Sequence, residues 1–280
     1  MKNNIYCLFL LIISVGTVSG QNLKNESVLK HYMPLYLDIP AEMNVRKGYK
    51  EINVAGGYAS FRDFKGQRAL VEYDFAPTNR LGFEIEMPFV FVQEKHMITE
   101  KGLDDVIVPE EGGTPESANA LRLGVNYALY SSPEYKTSVS VGFFNELEFT
   151  PFKHFGHPLF EGNVYNPFVA VAKVFGTRLH TMIYTGTATK HSFEHQKLAT
   201  AVRFNTILAY RYGKGTRESF LGIESNQTWS GHEAGQMVLR PQIQAWITEK
   251  WKLGFVYSVP VATANQLQAS GFCRVIYSVN

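Results

Sequence analysis

The sequence predicts an all-β protein: a single antiparallel transmembrane β-barrel of about 12 strands, with short periplasmic turns and longer extracellular loops. Three observations carry that prediction. Apolar and polar residues alternate along successive segments, the connections between segments alternate short and long, and aromatic residues gather beside the short ones. "LGFEIEMPFVFV", residues 81–92, sets the pattern, with Leu81, Phe83, Ile85, Met87, Phe89 and Phe91 on one parity and Gly82, Glu84, Glu86 and Pro88 on the other. Side chains alternate faces along a strand, so one wall is oily and the other carries carboxylates.

The chain opens "MKNNIYCLFLLIISVGTVSGQ", a basic start at Lys2, an apolar run from Ile5 to Val15 and small residues before Gln21. Residues 1–20 read as a secretory signal cut after Gly20, because the apolar run falls short of the roughly 20 residues of a spanning helix. Its removal leaves Cys273 alone, which excludes an intramolecular disulfide. Residues 21–48, with "NLKNESVLKHYMPLYLDIPAEMNV", are too mixed to form a domain. They are expected to line the periplasmic mouth, to plug the lumen, or to be a disordered leader.

From residue 49 to 280 the alternation recurs. "EINVAGGYASF" sets Ile52, Val54 and Tyr58 against Asn53, Ala55 and Gly57, and "RALVEYDF" sets Val71, Tyr73 and Phe75 against Arg68, Glu72 and Asp74. After residues 81–92, "LRLGVNYALY" opposes Leu121, Leu123 and Val125 to Arg122, Gly124 and Asn126, and "TSVSVGFFNELEF" opposes Val139, Val141 and Phe143 to Ser140, Glu146 and Glu148. "NPFVAVAKVF" has two apolar faces, and Lys173 is expected to decide it, sending Val169 and Val171 inward with it and leaving Phe168, Ala170, Ala172 and Val174 for lipid. "LHTMIYTGTA" is the weakest of the set. "AVRFNTILAYRY", "SFLGIESN", "MVLRPQIQAWI", "WKLGFVYSV" and "GFCRVIYSV" complete twelve segments, each long enough to cross a bilayer at a tilt. Short turns ("APTNR", "SSPEY", "FGTR", "GKGTRE", "TEK") follow the even segments, and longer polar connections, above all "QEKHMITEKGLDDVIVPEEGGTPES", follow the odd ones.

A soluble sandwich also alternates. The even strand number, the alternating loop lengths and a girdle of Tyr73, Phe75, Tyr127, Tyr130, Phe175, Tyr210, Tyr212, Trp246 and Trp251 near the short turns favour a closed cylinder, the one all-strand form whose backbone is satisfied in lipid. Pro88 and Pro241 fall inside strands and predict a bulge or a strand end at each.

"HYMPLYLDIP", "RKGYKEINVAGGY" and "LVEYDFAPTNRLGFEIEMPF", within residues 31–93, resemble the opening of a family of Gram-negative outer-membrane β-barrels related to the transporter-like proteins of the meta-pathway of phenol degradation. The resemblance implies an outer-membrane location and a transporter-like barrel, and implies nothing about substrate. The ending "YSVN" departs from the terminal aromatic usual in such barrels.

A formal charge of +2 with scattered basic residues offers nucleic acid no field. Partners are expected to be outer-membrane lipid, an unidentified small solute, and a surface partner met through the long loops. Fifteen residues are expected to line the lumen: Arg68, Glu72, Asp74, Glu84, Glu86, Arg122, Glu146, Glu148, Lys173, Arg203, Arg211, Glu224, Arg240, Lys252 and Arg274. Fixed charges so placed select solutes in a wet pore. Paired acid against arginine, they instead fill a sealed polar core. His191, Glu194 and His195 spell H-x-x-E-H, but that zinc-peptidase chemistry needs a helix, and the segment joins two strands. His154, His157 and His232 are loop histidines with the bland reading of solvated side chains. No metal, cofactor or catalytic residue is therefore expected. The leading expectation is a barrel that passes or binds small solutes. A sealed barrel with a surface-binding role, and a secreted soluble β-protein or outer-membrane hydrolase, are the alternatives.

Overall fold

The computed structural model describes residues 29–36, 39–61, 64–95, 120–149, 159–193, 196–213, 219–230, 235–262 and 267–279. The expected signal segment, most of the longest loop, and His154, His157, Glu194, His195 and His232 lie outside them. The strands are β1 (Lys50–Phe61), β2 (Phe64–Thr78), β3 (Leu81–Lys95), β4 (Ala120–Ser132), β5 (Thr137–Phe149), β6 (Phe160–Phe175), β7 (Leu179–Ser192), β8 (Leu198–Tyr212), β9 (Ser219–Ser230), β10 (Gln236–Trp246), β11 (Trp251–Ala262) and β12 (Leu267–Ser278). Each pairs antiparallel with its sequence neighbours, and β12 closes onto β1 from Glu51↔Ser278 to Ala59↔Ser270. Closure leaves no sheet edge, as lipid demands.

The outer wall is the apolar parity. Ile52, Val71, Ile85, Leu123, Leu208, Ile223 and Phe255 are all exposed, forming the belt of a membrane-spanning barrel. The inner parity buries the charges: Glu72, Asp74, Glu84, Glu86, Arg122, Arg203, Glu224, Arg240, Lys252 and Arg274 are shielded from water. The start of β1 and the end of β12 meet at the short-turn rim, where Val279 N–H donates to the Lys50 carbonyl. The β6–β7 turn there relies on Gly176 at φ +59°, a conformation costly for side-chain-bearing residues.

Two expectations are corrected. Lys173 lies on the outer wall beside the exposed Val169 and Val171, while Phe168, Ala170, Ala172 and Val174 are buried inside. The lysine sits at the short-turn rim and reaches the Tyr135 carbonyl at 3.1 Å, so its stem lies along the apolar wall and its charge leaves it. Trp246, expected in the outer girdle, is on the inward parity of β10 with Lys252 Nζ 4.8 Å from its ring centroid.

The prolines follow one rule, which is that each faces a break in a ladder. Past Glu86↔Arg122 the β3–β4 ladder is open, two residues short of Pro88. Pro241 keeps its pairing with Ile223 of β9, but the β10–β11 ladder skips from Leu239↔Val259 to Gln242↔Val256. The expected bulge or strand end is therefore absent at Pro241, where a gap on one side suffices. Pro167 repeats the device, opposite Phe143 on one side and facing the gap between Tyr165↔Thr189 and Phe168↔Gly186 on the other. A missing N–H costs nothing where no acceptor waits for it.

Candidate functional site: the lumen and the N-terminal strap

The stretch before β1 packs against the inner wall. Starting at the short-turn end, His31 Nε2 lies 2.8 Å from Ser138 Oγ of β5, and Tyr32 N–H donates to His180 Nδ1 of β7 at 3.3 Å. The chain then crosses to β10, where the Tyr32 hydroxyl and the Leu35 N–H both donate to Gln242 Oε1 at 2.7 Å. Tyr36 lies under Arg240, whose guanidinium carbon is 3.5 Å from the ring centroid. On the return, Ala41 N–H donates to Asp74 Oδ1 at 3.1 Å, and Arg80 N–H closes the exit on the Val45 carbonyl at 2.8 Å. We call residues 29–36 and 39–45 the strap.

Glycines let it approach. A Cβ on Gly82 would stand 2.6 Å from the Ala41 Cβ, and one on Gly254 2.7 Å from the Leu35 methyls, so these wall positions accept no larger residue without displacement. Tyr32, Ile39 and Met43 join Phe144, Phe168, Tyr184, Ile207 and inward alanines in one apolar cluster, while Leu35 packs on Val256 and Ile276. The lumen at this level is a hydrophobic core. Burial, reinforced by the neighbouring His180, lowers the pKa of His31 to about 4, so the strap docks with a neutral imidazole.

The charges form rows across the strands. Cross-strand register places Glu72 opposite Glu86 and Asp74 opposite Glu84, two like-charged pairs that destabilise unless answered. Arg122 answers from β4, with Nε 3.8 Å from Glu84 and Nη1 3.5 Å from Glu86, and Arg274 answers from β12, with Nη2 3.2 Å from Glu72. Asn53 Nδ2 donates to both Glu72 and Asp74. Elsewhere Lys252 Nζ meets Glu51 at 2.5 Å, Lys190 meets Glu148 at 2.8 Å, and Arg240 hydrogen-bonds Ser258 and Asn226. Glu72, Asp74 and Glu84 offer oxygens within 4.8 Å of one another, the one such grouping among the described residues that could hold a cation. Protein donors already reach each member of it.

Between strap and long-loop end, a cavity of about 130 Å³ remains, floored by Leu35 and Tyr36 and walled by Arg68, Arg122, Phe272 and Arg274. Of the fifteen residues the sequence placed inside, Lys173 alone is outside. Arg68, Glu146, Glu148 and Arg211 are inward but only half-buried, and Arg211 lies at the rim against the Thr177 carbonyl. Sequence reasoning put Asn53 and Gln242 on the polar parity without singling them out, and missed Glu51, His180, Lys190 and the role of His31, Tyr32 and Leu35. Alternation gave the wall residues' side, but nothing local reports that an irregular segment lies against them. His191 stands at the end of β7, its ring edge-on to Phe193 at 5.4 Å, on a strand rather than a helix.

The chain belongs to the HAEPLYID-like family, whose profile matches residues 27–278. Read as one-letter residue codes, that name agrees with His31, Pro34, Leu35, Tyr36 and Asp38 at their spacing in this chain, the first four of them within the strap. No curated protein matches the sequence. Among solved structures, an outer membrane channel from Pseudomonas putida F1 is similar at TM-score 0.56 and 12% identity, covering 86% of this chain and 99% of its own. The NanC porin follows at 0.55 and 13%, and the KdgM porin at 0.51 and 14%, each covering 82% of this chain and 99% of its own. At such identities the likeness is one of fold, and the fold is that of outer-membrane channels and porins, for which the outer membrane is the site of residence.

Proposed function

We propose that this chain is an outer-membrane channel for small solutes, exported by its first 20 residues, with a lumen narrowed by its own strap. The inward charges, from Arg68 of β2 to Arg274 of β12, act as the selectivity surface. The observation that carries the reading is the cavity of about 130 Å³ above the strap, lined by charged side chains rather than filled by them. The family's opening motif supports kinship with the transporter-like barrels named above.

The burial of Tyr32 and Leu35, 2% and 1% exposed, favours a second reading, a barrel sealed at the short-turn end. Single-channel recording in planar bilayers separates the two. The full chain is expected to pass a small ion current, and a variant lacking residues 29–45 a several-fold larger one. A folded, heat-modifiable preparation that passes no current in either form would sink the channel reading.

A further inference from the structure

We infer that the outer wall at the β4–β5 and β6–β7 turns is a binding site for an anionic phospholipid of the periplasmic leaflet, the leaflet that the short turns meet. The inference goes beyond the channel reading and stands whether or not the lumen conducts.

Two neighbouring turns and a strand end build the site. The β4–β5 turn brings Lys136, β6 brings Lys173 two residues before its end, and the β6–β7 turn brings Arg178. The turns are tied together, since Val174 N–H donates to the Lys136 carbonyl at 2.9 Å and Lys136 Nζ donates to the Gly176 carbonyl at 2.5 Å. Lys173 Nζ donates to the Tyr135 carbonyl at 3.1 Å and to Thr137 Oγ1 at 3.3 Å, and Arg178 Nη1 donates to the Tyr210 hydroxyl at 2.9 Å. All of these acceptors are neutral. They position the three cations and leave the charge in place. Glu134 is the one acid in the described residues of the two turns, so the sector carries three positive charges against one negative.

The wall beside these cations is built for a lipid rather than a free ion. Val171, Phe175, Leu179 and Tyr210 are exposed on the outer face, and Lys173 Nζ lies 5.7 Å from the Phe175 ring centroid. Aromatic rings of this kind sit at the headgroup level, with the valine below them against an acyl chain. A lysine on a lipid-facing wall is costly unless its ammonium reaches the headgroup layer, which is where Lys173 is directed. A phosphodiester there meets three cations through charge-assisted hydrogen bonds. A zwitterionic headgroup brings its own ammonium into the same field and cancels the gain, so the site selects net negative lipid.

The test titrates the refolded full-length protein in detergent micelles with phosphatidylglycerol or phosphatidylcholine of matched acyl chains, and counts bound lipid by native mass spectrometry. Phosphatidylglycerol is expected to bind about tenfold more tightly, with the preference falling as ammonium acetate is raised. Lys136→Gln combined with Arg178→Gln should weaken phosphatidylglycerol about tenfold and leave phosphatidylcholine unchanged. Lys47→Gln combined with Lys250→Gln removes the same charge from other parts of the rim and should alter neither. Equal binding of the two lipids by the unaltered protein would overturn the proposal. So would a loss no greater in the first double variant than in the second, or displacement of bound phosphatidylglycerol by an equal concentration of inorganic phosphate. The lipid comparison on the unaltered protein decides the matter even where a variant does not refold.

Discussion

The inner walls of β1–β4 and of β5–β8 face the same strap and hold it by different physics. On β1–β4 the wall is ionic, with four buried carboxylates in two facing pairs, and the strap is met by a hydrogen bond from Ala41 to Asp74. On β5–β8 the short-turn half of the wall is Phe144, Phe168, Ala170, Ala172, Met182, Tyr184, Ile207 and Ala209, and the strap is met by Tyr32, Ile39 and Met43. Of the charges on this side, Glu146, Glu148, Lys190 and Arg203 lie toward the long-loop half, and Arg211 sits at the short-turn rim beyond the apolar stretch. One wall therefore depends on every charge keeping its partner. The other depends on volume and tolerates small losses.

That contrast can be broken from either side. Arg122→Met leaves Glu84 and Glu86, 2% and 3% exposed, without their nearby cation and should cost about 3–5 kcal/mol, read as a lower urea midpoint in micelles. Phe168→Ala on the apolar wall removes a ring stacked on Phe144 and Tyr184 and should cost about 3 kcal/mol, the low end for such a truncation because the strap can settle into the space.

Acid should loosen the strap by a comparable amount through His31. A group with its folded pKa lowered from 6.5 to about 4 contributes in full above pH 6.5 and loses that contribution as pH falls toward 4. The groups bearing on the pair are His180 beside His31 and Arg211 beside His180, all of which oppose a further positive charge. On the order of 3 kcal/mol of docking is lost by pH 4, seen as rising protease cleavage near Tyr32. His31→Gln should reduce the change, with the remainder carried by His180, which accepts the Tyr32 N–H. A cleavage rate that does not change from pH 7 to 4 would exclude the imidazole as the cause.

Tyr32→Phe should cost about 1–2 kcal/mol, since the Gln242 oxygen keeps its bond from the Leu35 N–H. Lys173→Met, outside the lumen, should change stability by no more than about 0.5 kcal/mol and leave conductance unaltered. A large conductance change in that variant would contradict its placement.

The barrel was legible because lipid and lumen impose opposite solvents on alternate residues, and twelve segments state that alternation locally. Lys173 shows where the reasoning fails. A polar inner wall would turn the one charge in "NPFVAVAKVF" inward, and here that wall is not polar. The inner wall of β6 is apolar because strap residues cover it, and a strand apolar on both faces is the mark of burial on both sides. The strap itself has no period to read, since its fold is set by contacts with strands far along the chain, such as Tyr32 with His180 and Gln242. The cavity could not be foreseen without knowing that Leu35 and Tyr36 form its floor.

The central claim is that residues 29–36 and 39–45 lie inside the cylinder in the folded protein. Leu35→Cys paired with Gly254→Cys, in a Cys273→Ser background, tests it most directly, because the Leu35 methyls stand 2.7 Å from where a Gly254 Cβ would be. The account predicts a disulfide within one chain on mild oxidation, with the Leu35→Cys single variant shielded from a water-soluble maleimide until the barrel unfolds. No cross-link, together with rapid labelling of Leu35→Cys in the folded barrel, would contradict it.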